Sequence, residues 1–313
     1  MARALLYLLA LLSLLPDIPV LHWHALKPWM ALIAGILLTL SLGNPMAAQT
    51  RKWTPKLLAW SVVGLGAGMN LREVLKVGLQ GFGYTAMGIV FALSLGLLLG
   101  HHLKVARNTS LLISVGTAIC GGSAIAAVAP VIHAEDEDTS VALGTVFLLN
   151  AAALLIFPVI GHHFGMGQRP FGLWSALAIH DTSSVVGAAT TYGREATVVA
   201  TTTKLARALW IVPVTLAVGF WVARERHAHA EKVKAKRPWF ILGFLLAAAL
   251  VTYVPAMKPA GGVVAVLALR SLTLTLFLLG CGLSREAIRR VGARPMLQGV
   301  GLWFVVGGVT LFA

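Results

Sequence analysis

The chain has 313 residues, of which 58% are hydrophobic and 12% are charged. An ordinary soluble domain is about 25% charged, so this composition excludes a water-soluble core and predicts an all-α, polytopic membrane protein. The formal net charge is +14, but the Lys and Arg residues fall between apolar segments and do not follow one face, which argues against nucleic acid as a partner. The two cysteines are too few for a metal site or a disulfide framework.

Apolar runs recur along the whole chain and predict one membrane domain over residues 1–313, with about ten or eleven transmembrane helices. The predicted segments lie near residues 3–20, 28–43, 54–70, 79–100, 108–132, 139–160, 171–192, 195–223, 238–254, 260–282 and 295–312. The most polar stretch, residues 224–237, reads RERHAHAEKVKAKR and is predicted to be a basic cytoplasmic linker between helices.

The distribution of positive charge predicts the orientation in the membrane. If the basic linker and the basic residues of 285–294 face the cytoplasm, eleven crossings place the N-terminus in the cytoplasm and the C-terminus in the periplasm of a bacterial inner membrane. The same count places Lys104 and Arg169 inside and the acidic residues 135–138 outside.

Two internal similarities predict that the chain contains a structural repeat. The stretch from Gly66 to Glu73 resembles that from Gly280 to Glu286, and the two have opposite predicted directions, which is typical of an inverted repeat. A second similarity relates residues 118–123 to residues 178–183, through Ala-Ile and a Ser four positions further on. The helix count makes this second pair parallel, so the two similarities do not fit one tandem inversion.

The first polar motif in an apolar segment is the glycine-rich stretch from Gly116 to Ala126. A Gly pair with flanking hydroxyls is unfavourable in a continuous helix at that depth, so we expect a broken helix whose freed backbone groups face a solute. Tight helix packing through small residues is the alternative. The predicted binding residues are Thr117, Cys120, Gly121, Gly122 and Ser123.

The second motif contains an acidic residue within an apolar segment. An acidic side chain at the membrane centre costs about 2.5–3.5 kcal/mol on insertion scales, which makes Asp181 a functional candidate, and the neighbouring His180 titrates near neutral pH. We predict that His180 and Asp181 couple transport to an ion, and that Thr182, Ser183 and Ser184 bind substrate. The alternative is that Asp181 caps the N-terminus of a second half-helix.

The third motif places two cations, Lys204 and Arg207, on one helix face at i and i+3. Two such cations repel each other unless an anion or a carboxylate answers them, so we predict that they bind an anionic substrate, with Asp181 neutralising one of them. Snorkelling of both side chains to the membrane interface is the alternative. Asn150, alone in an apolar run, is interpreted as a hydrogen-bonding residue between helices, and the alternative is that it reaches the site.

These motifs resemble those of the YeiH-like sulfate exporter family of bacterial inner-membrane proteins. The resemblance rests on GTAICGGSAIAAVAPVI from Gly116 to Ile132, HDTSSVVGAA from His180 to Ala189 and KLARALWIVP from Lys204 to Pro213. It implies a fold of the sodium/proton antiporter and bile-acid symporter type, in which two discontinuous helices cross between a core and a scaffold.

The sequence therefore predicts a secondary transporter that exports a small anion, such as sulfate, sulfite or an organosulfonate, by alternating access. The alternatives are an anion channel and a membrane-embedded hydrolase that uses His180 and Ser183. The expected partners are the small anion, the lipid bilayer and a second copy in a homodimer. No cofactor or metal is expected beyond H⁺ or Na⁺ as a coupling ion.

Overall fold

The computed structural model describes residues 2–15, 26–225 and 239–311, so most of the predicted linker at 224–237 lies outside the described residues. Within these ranges the chain is all-helical, with a short 3₁₀ helix at Pro255–Met257. The α-helices in chain order are α1 (Ala2–Leu14), α2 (Pro28–Leu42), α3 (Ala47–Gly66), α4 (Leu71–His102), α5 (Arg107–Ala118), α6 (Gly122–Val128), α7 (Asp136–His163), α8 (Gln168–Ala178), α9 (Thr182–Tyr192), α10 (Arg194–Ala208), α11 (Ile211–Glu225), α12 (Trp239–Tyr253), α13 (Lys258–Cys281), α14 (Arg285–Val291) and α15 (Ala293–Leu311).

Several stretches of the described residues are long and apolar enough to cross a membrane. By length and composition these are Thr85–His102, Asp136–His163, Arg194–Val222 and Pro255–Cys281. Three shorter apolar helices accompany them, at Arg3–Leu14, Pro28–Leu42 and Trp239–Tyr253. The prediction of an all-α membrane protein is therefore confirmed.

Two of the predicted segments are broken near their middle. The segment predicted at 108–132 is interrupted between α5 and α6, where Gly121 has a φ of +69°, a backbone conformation that favours glycine. The segment predicted at 171–192 is interrupted between α8 and α9, where Ile179 and Asp181 have extended backbone with ψ of 132° and 146°. The prediction of a break within the glycine-rich motif is confirmed.

The chain turns back at the first break, so α5 and α6 form a re-entrant hairpin, called hairpin 1. The hydroxyl of Thr109, at the start of α5, donates a hydrogen bond to Asp138, at the start of α7. Further along, a Cβ placed on Gly116 of α5 would lie 3.2 Å from Val146 of α7. The helices α5 and α7 therefore run in the same direction, and α6 returns the chain to the end where α5 began. We call this the Lys104 end, after the residue in the α4–α5 turn.

The chain also turns back at the second break, so α8 and α9 form hairpin 2. Tyr192, at the end of α9, stacks on Phe171, near the start of α8, with ring centroids 3.7 Å apart. The backbone N–H of Glu195, at the start of α10, donates to the side chain of Gln168 at 3.0 Å. Hairpin 2 therefore enters and leaves at one end, which it shares with the start of α4. We call this the Gly68 end, after the residue in the α3–α4 turn.

The two hairpins enter from opposite ends because α7 connects them. Its first turn contacts hairpin 1 through Thr109, and His162 in its last turn stacks on Tyr192 of hairpin 2 at 4.3 Å. The prediction that the segments 108–132 and 171–192 cross the membrane is therefore wrong, and so is their predicted parallel direction. A break near the middle of an apolar stretch is compatible both with a crossing and with a return. With both stretches turning back, the eleven predicted crossings fall to at most nine.

The hairpins also change which charged loops share a face. The acidic residues Glu135 and Glu137 line a cavity together with Lys104 and Arg294, so they lie at the Lys104 end and not opposite these cations as predicted. Arg169 lines another cavity with Lys76 and Glu73 at the Gly68 end, whereas it was predicted on the side of Lys104. Both errors arose because hairpin 1, which precedes these residues in the chain, was counted as one crossing.

The remaining helices form two groups. In one group, α13 packs against α1, α2 and α3, and α12 packs against α3. In the other, α4, α14 and α15 pack around the hairpins and α7, and α10 packs against α4, α8 and α9. The groups meet where α9 contacts α2 and α13, and where α4 contacts α12. The hairpin tips thus lie within the second group, with α9 at the boundary between the two.

Candidate functional site

The tips of the two hairpins touch each other inside the second helix group. A Cβ placed on Gly121, at the tip of hairpin 1, would lie 3.3 Å from both Cα and Cβ of Asp181, at the tip of hairpin 2. The close approach and the positive φ both require glycine at position 121. The glycine-rich motif and the His180–Asp181 motif, predicted as separate features of one site, are therefore brought together.

Lys204 on α10 is completely buried beside the tip of hairpin 2. Its Nζ donates hydrogen bonds to the carbonyl oxygens of Ile179 at 2.6 Å and Ala176 at 3.3 Å. These carbonyls lie at the end of α8, where the backbone carbonyls lack helical partners and carry partial negative charge. Lys204 therefore stabilises the interrupted end of α8.

Arg207 is 1% exposed and joins the two hairpins. Its Nε donates to the carbonyl of Ala118 at 2.6 Å and its Nη2 to that of Thr117 at 3.3 Å, at the end of α5. Its Nη1 donates to the carbonyl of Leu177 in α8 at 2.5 Å. Burial of both cations rules out their snorkelling to the interface. Their hydrogen bonds go to helix ends and not to Asp181, which was predicted to neutralise one of them.

Asp181 caps the N-terminus of α9. Its carboxylate accepts hydrogen bonds from the backbone N–H groups of Ser183 at 3.0 Å and Ser184 at 3.4 Å, and from the hydroxyl of Ser183. The capping interpretation is confirmed. The Ser183 hydroxyl is thus bound to Asp181. It does not make the hydrogen bond to His180 that a serine–histidine hydrolase pair would require.

Asn150 on α7 fastens the tip of hairpin 2. Its side-chain oxygen accepts the backbone N–H groups of His180 and Asp181, both at 3.1 Å. The interpretation of Asn150 as a hydrogen-bonding residue between helices is confirmed, and its contact with the hairpin tip agrees with the alternative that it reaches the site. The signal in the sequence was a lone amide within an apolar run, in the helix that follows the first break.

Several polar atoms around the tips are buried and have no hydrogen-bond partner among the described residues. They are the Thr117 hydroxyl, the Asn150 side-chain nitrogen, both ring nitrogens of His180 and the Ser184 hydroxyl. Buried polar groups are nearly always paired in native proteins, so these atoms are available to hydrogen-bond a polar ligand or water. Hydroxyl, amide and imidazole N–H groups are all suited to donate to an anion.

The other predicted site residues are distributed unevenly around the tips. Cys120 is a free thiol that is 2% exposed, and Thr182 is 5% exposed. Gly122 is half-buried, and a Cβ there would meet Phe147 at 3.1 Å. Ser123 is exposed, so it does not join the buried cluster as predicted, because it lies on the outer side of α6.

Comparison with known proteins gives consistent results over nearly the whole chain. A family described as conserved hypothetical protein 698 matches residues 3–299. A UPF0324 membrane protein of Bdellovibrio bacteriovorus is 60% identical over 90% of this chain and 87% of its own length. Similar proteins of Geobacter sulfurreducens and Bacteroides thetaiotaomicron, also described as UPF0324 membrane proteins, are 49% and 47% identical over 91% and 92% of this chain, and over 91% and 87% of their own lengths.

No solved structure shows a significant match to the chain. The sequence matches are nevertheless long and strong enough to assign it. The chain belongs to the conserved hypothetical protein 698 family, a family of bacterial membrane proteins.

Proposed function

We propose that this membrane protein is a secondary transporter that exports a small anion, such as sulfate, sulfite or an organosulfonate, by alternating access. The observation that carries the proposal is the meeting of two re-entrant hairpins, from opposite ends, at a buried centre that contains Lys204 and Arg207. Irregular backbone at membrane depth is tolerated where it is buried in protein or lines a cavity, and it is common at the binding sites of transporters.

The hairpins also favour an inverted repeat. Hairpin 1 is followed by α7, and hairpin 2 is followed by α10 and α11; the two units begin at opposite ends. The similar residues 118–123 and 178–183 lie at corresponding tips of these units. The helix count had made the two segments parallel, which conflicted with an inverted repeat. As re-entrant hairpins they enter from opposite ends, so this conflict no longer exists. Two inverted units around one site provide related routes to it from the two faces, as alternating access requires.

The charge at the centre favours an anionic substrate. Two buried cations, Lys204 and Arg207, lie beside one carboxylate, Asp181, which gives a formal excess of one positive charge. Arg207 uses three of its five N–H donors for carbonyl groups and Lys204 uses two of three. The anion would bind through this charge, the remaining donors and the unpartnered groups of Thr117 and Ser184.

Coupling and orientation complete the proposal. His180 and Asp181 couple the cycle to H⁺ or Na⁺, and both ring nitrogens of His180 lack a partner among the described residues. The Lys104 end faces the cytoplasm, since Arg285, Arg289, Arg290 and Arg294 follow α13 at that end. The proposed orientation has the N-terminus in the cytoplasm and the C-terminus in the periplasm.

Ligand binding tests the proposal without any assumption about coupling. Purified protein is heated with sulfate, sulfite, methanesulfonate, acetate or chloride, each at matched ionic strength. A ligand that binds only the folded state stabilises it by about 2.7 kcal/mol at 100 times its Kd. We expect one of the sulfur oxyanions to raise the unfolding temperature of the wild type, and to raise that of Ser184→Ala less. Equal melting temperatures in all salts would reject these anions as substrates.

A further inference from the structure

A cavity of about 690 Å³ opens at the Gly68 end, at the boundary between the two helix groups. One wall comes from the α3–α4 turn, the end of α12 and the first half of α13. The other wall comes from Thr190 of α9 and from Arg194, Thr197 and Val198 of α10. The cavity therefore lies beside the two helices that lead from this end to the tip of hairpin 2.

The charged residues of the cavity all have one sign. Arg194 projects from α10 and Lys258 from the start of α13, so each helix group supplies one cation. Among the described residues that line the cavity there is no carboxylate. A concave surface with charge of one sign and low-dielectric walls concentrates ions of the opposite sign. This cavity is therefore suited to small anions.

A polar stripe on α10 continues from the cavity toward the hairpin tips. Arg194, Thr197, Thr201 and Lys204 are spaced by three, four and three residues, which places them on one face of the helix. Arg194 and Thr197 line the cavity, whereas Lys204 contacts the end of α8. Thr201, between them, is completely buried and its hydroxyl has no partner among the described residues. The stripe thus connects an exposed cation with a buried one.

We propose that this cavity is an anion-binding exit site at the Gly68 end, where Arg194 and Lys258 hold the exported anion after it has moved along the Thr197–Thr201 face of α10. The ligand class is a small oxyanion or sulfonate. The inference rests on the proposed function for the identity of the transported ion, but the presence of an electropositive anion-binding cavity is independent of transport.

The charge of the cavity is measured first, with a thiol at its wall. In Val266→Cys the introduced residue lines the cavity, and the native Cys120 and Cys281 are buried. Its modification rates with a sulfonate-bearing and with a trimethylammonium-bearing methanethiosulfonate are compared. We expect the anionic-to-cationic rate ratio to fall at least about threefold when Arg194→Gln or Lys258→Gln is added, because each removes a charge that attracts the sulfonate.

Lys104→Gln is the control, since Lys104 is an exposed cation at the opposite end and lines a cavity that shares no residue with this one. It should leave the ratio unchanged. At 1 M salt the Debye length is about 3 Å, so the effects of Arg194→Gln and Lys258→Gln should largely disappear. A ratio that is unaffected by both substitutions at low salt would overturn the proposal, whatever the protein transports.

Transport kinetics then test whether the cavity lies on the transport path, because an alternating-access carrier also works in reverse when labelled anion is added at its exit. Initial uptake of [³⁵S]sulfate and [³⁵S]sulfite is measured in right-side-out and inside-out membrane vesicles. Arg194→Gln and Lys258→Gln should raise the half-saturation concentration at least about threefold at low salt, without changing the maximal rate, in the vesicle type that exposes the Gly68 end outward. An unchanged half-saturation concentration in both vesicle types would overturn the exit role. If the wild type takes up neither anion, the result counts against the proposed function. The thiol measurement would then still show whether the cavity attracts anions.

Discussion

Arg207 and Ala118 are joined by a hydrogen bond of 2.6 Å, from the guanidinium Nε to the carbonyl oxygen at the end of α5. The same guanidinium reaches Leu177 of α8, so a single side chain holds the interrupted ends of both hairpins. A planar group with five donors can bridge two such ends, whereas a single ammonium group cannot reproduce that geometry. The buried cation is therefore part of the structure of the site as well as its charge.

Replacing Arg207 by Lys should destabilise the protein although it keeps the positive charge. At least one of the three carbonyl groups of Thr117, Ala118 and Leu177 would lose its donor, at a cost of about 1–3 kcal/mol for each buried group left unpaired. The unfolding temperature in detergent is the measurement. Arg51→Lys, at an exposed position on α3, should leave it unchanged. Equal stability of Arg207→Lys and the wild type would show that the guanidinium does not hold the hairpins.

Gly121→Ala should be more harmful than an alanine at another glycine of positive φ. Gly121 has a φ of +69° and faces Asp181, whereas Gly165 has a φ of +62° and a Cβ there would meet nothing within 4 Å. Both substitutions introduce backbone strain, but only the first also disturbs the contact between the tips. Melting temperatures of the two variants give the comparison. Equal losses would show that the tips are not in contact.

Asn150→Leu should loosen the tip of hairpin 2. The backbone N–H groups of His180 and Asp181 would both lose their acceptor within a buried region, at about 1–3 kcal/mol each. Asn150→Asp keeps an acceptor oxygen at this position and should therefore restore the protection of these two amides. Hydrogen exchange of the peptide that covers residues 176–184 is the direct readout. Slow exchange in Asn150→Leu would contradict the role given to Asn150.

The sequence predicted where the helices break but not that the chain returns at each break. Gly121 and the capping carboxylate of Asp181 are local signals, so the interruptions at 119–121 and 179–181 follow from residue chemistry. The direction after a break is set by tertiary packing, such as the stacking of Tyr192 on Phe171. A hairpin and a crossing contain similar numbers of apolar residues. One feature of the sequence pointed to the error in the helix count. The similar motifs at 118–123 and 178–183 came out parallel in that count, whereas an inverted repeat requires opposite directions.

The hydrogen-bond partners of the buried cations also could not be predicted from the sequence. The spacing of Lys204 and Arg207 placed them on one helix face, which the structure confirms by burying both. Their hydrogen bonds, however, go to backbone carbonyls of residues 25 or more positions away, and backbone carbonyls carry no sequence signal. Whether Ser123 is buried or exposed likewise depends on how α6 packs against its neighbours. Ser123 stands at the start of the half-helix in both cases, so its place in the sequence does not indicate its exposure.

The membrane topology gives a test of the hairpins that needs no substrate. Single cysteines are placed at Lys104, Glu137, Arg169 and Glu195, which are all exposed, and are labelled with an impermeant maleimide in vesicles of each orientation. We expect Glu137→Cys to label on the same side as Lys104→Cys, because hairpin 1 returns to its own end, and Arg169→Cys and Glu195→Cys to label together on the opposite side, because hairpin 2 does the same. Labelling of Glu137→Cys opposite to Lys104→Cys would mean that segment 108–132 crosses the membrane, and labelling of Glu195→Cys opposite to Arg169→Cys would mean that segment 171–192 does.

Anion exchange by the purified protein tests the central claim most directly. Proteoliposomes loaded with unlabelled sulfate or sulfite are diluted into the ³⁵S-labelled anion, and uptake is followed for the wild type, Ser184→Ala and Thr117→Val. A transporter with its site at the hairpin tips should show saturable uptake that is stimulated by internal anion and reduced about tenfold or more by either substitution, equivalent to about 1.4 kcal/mol. Uptake that equals that of empty liposomes for both anions, or that rises without saturation and is unaffected by internal anion, would contradict the account.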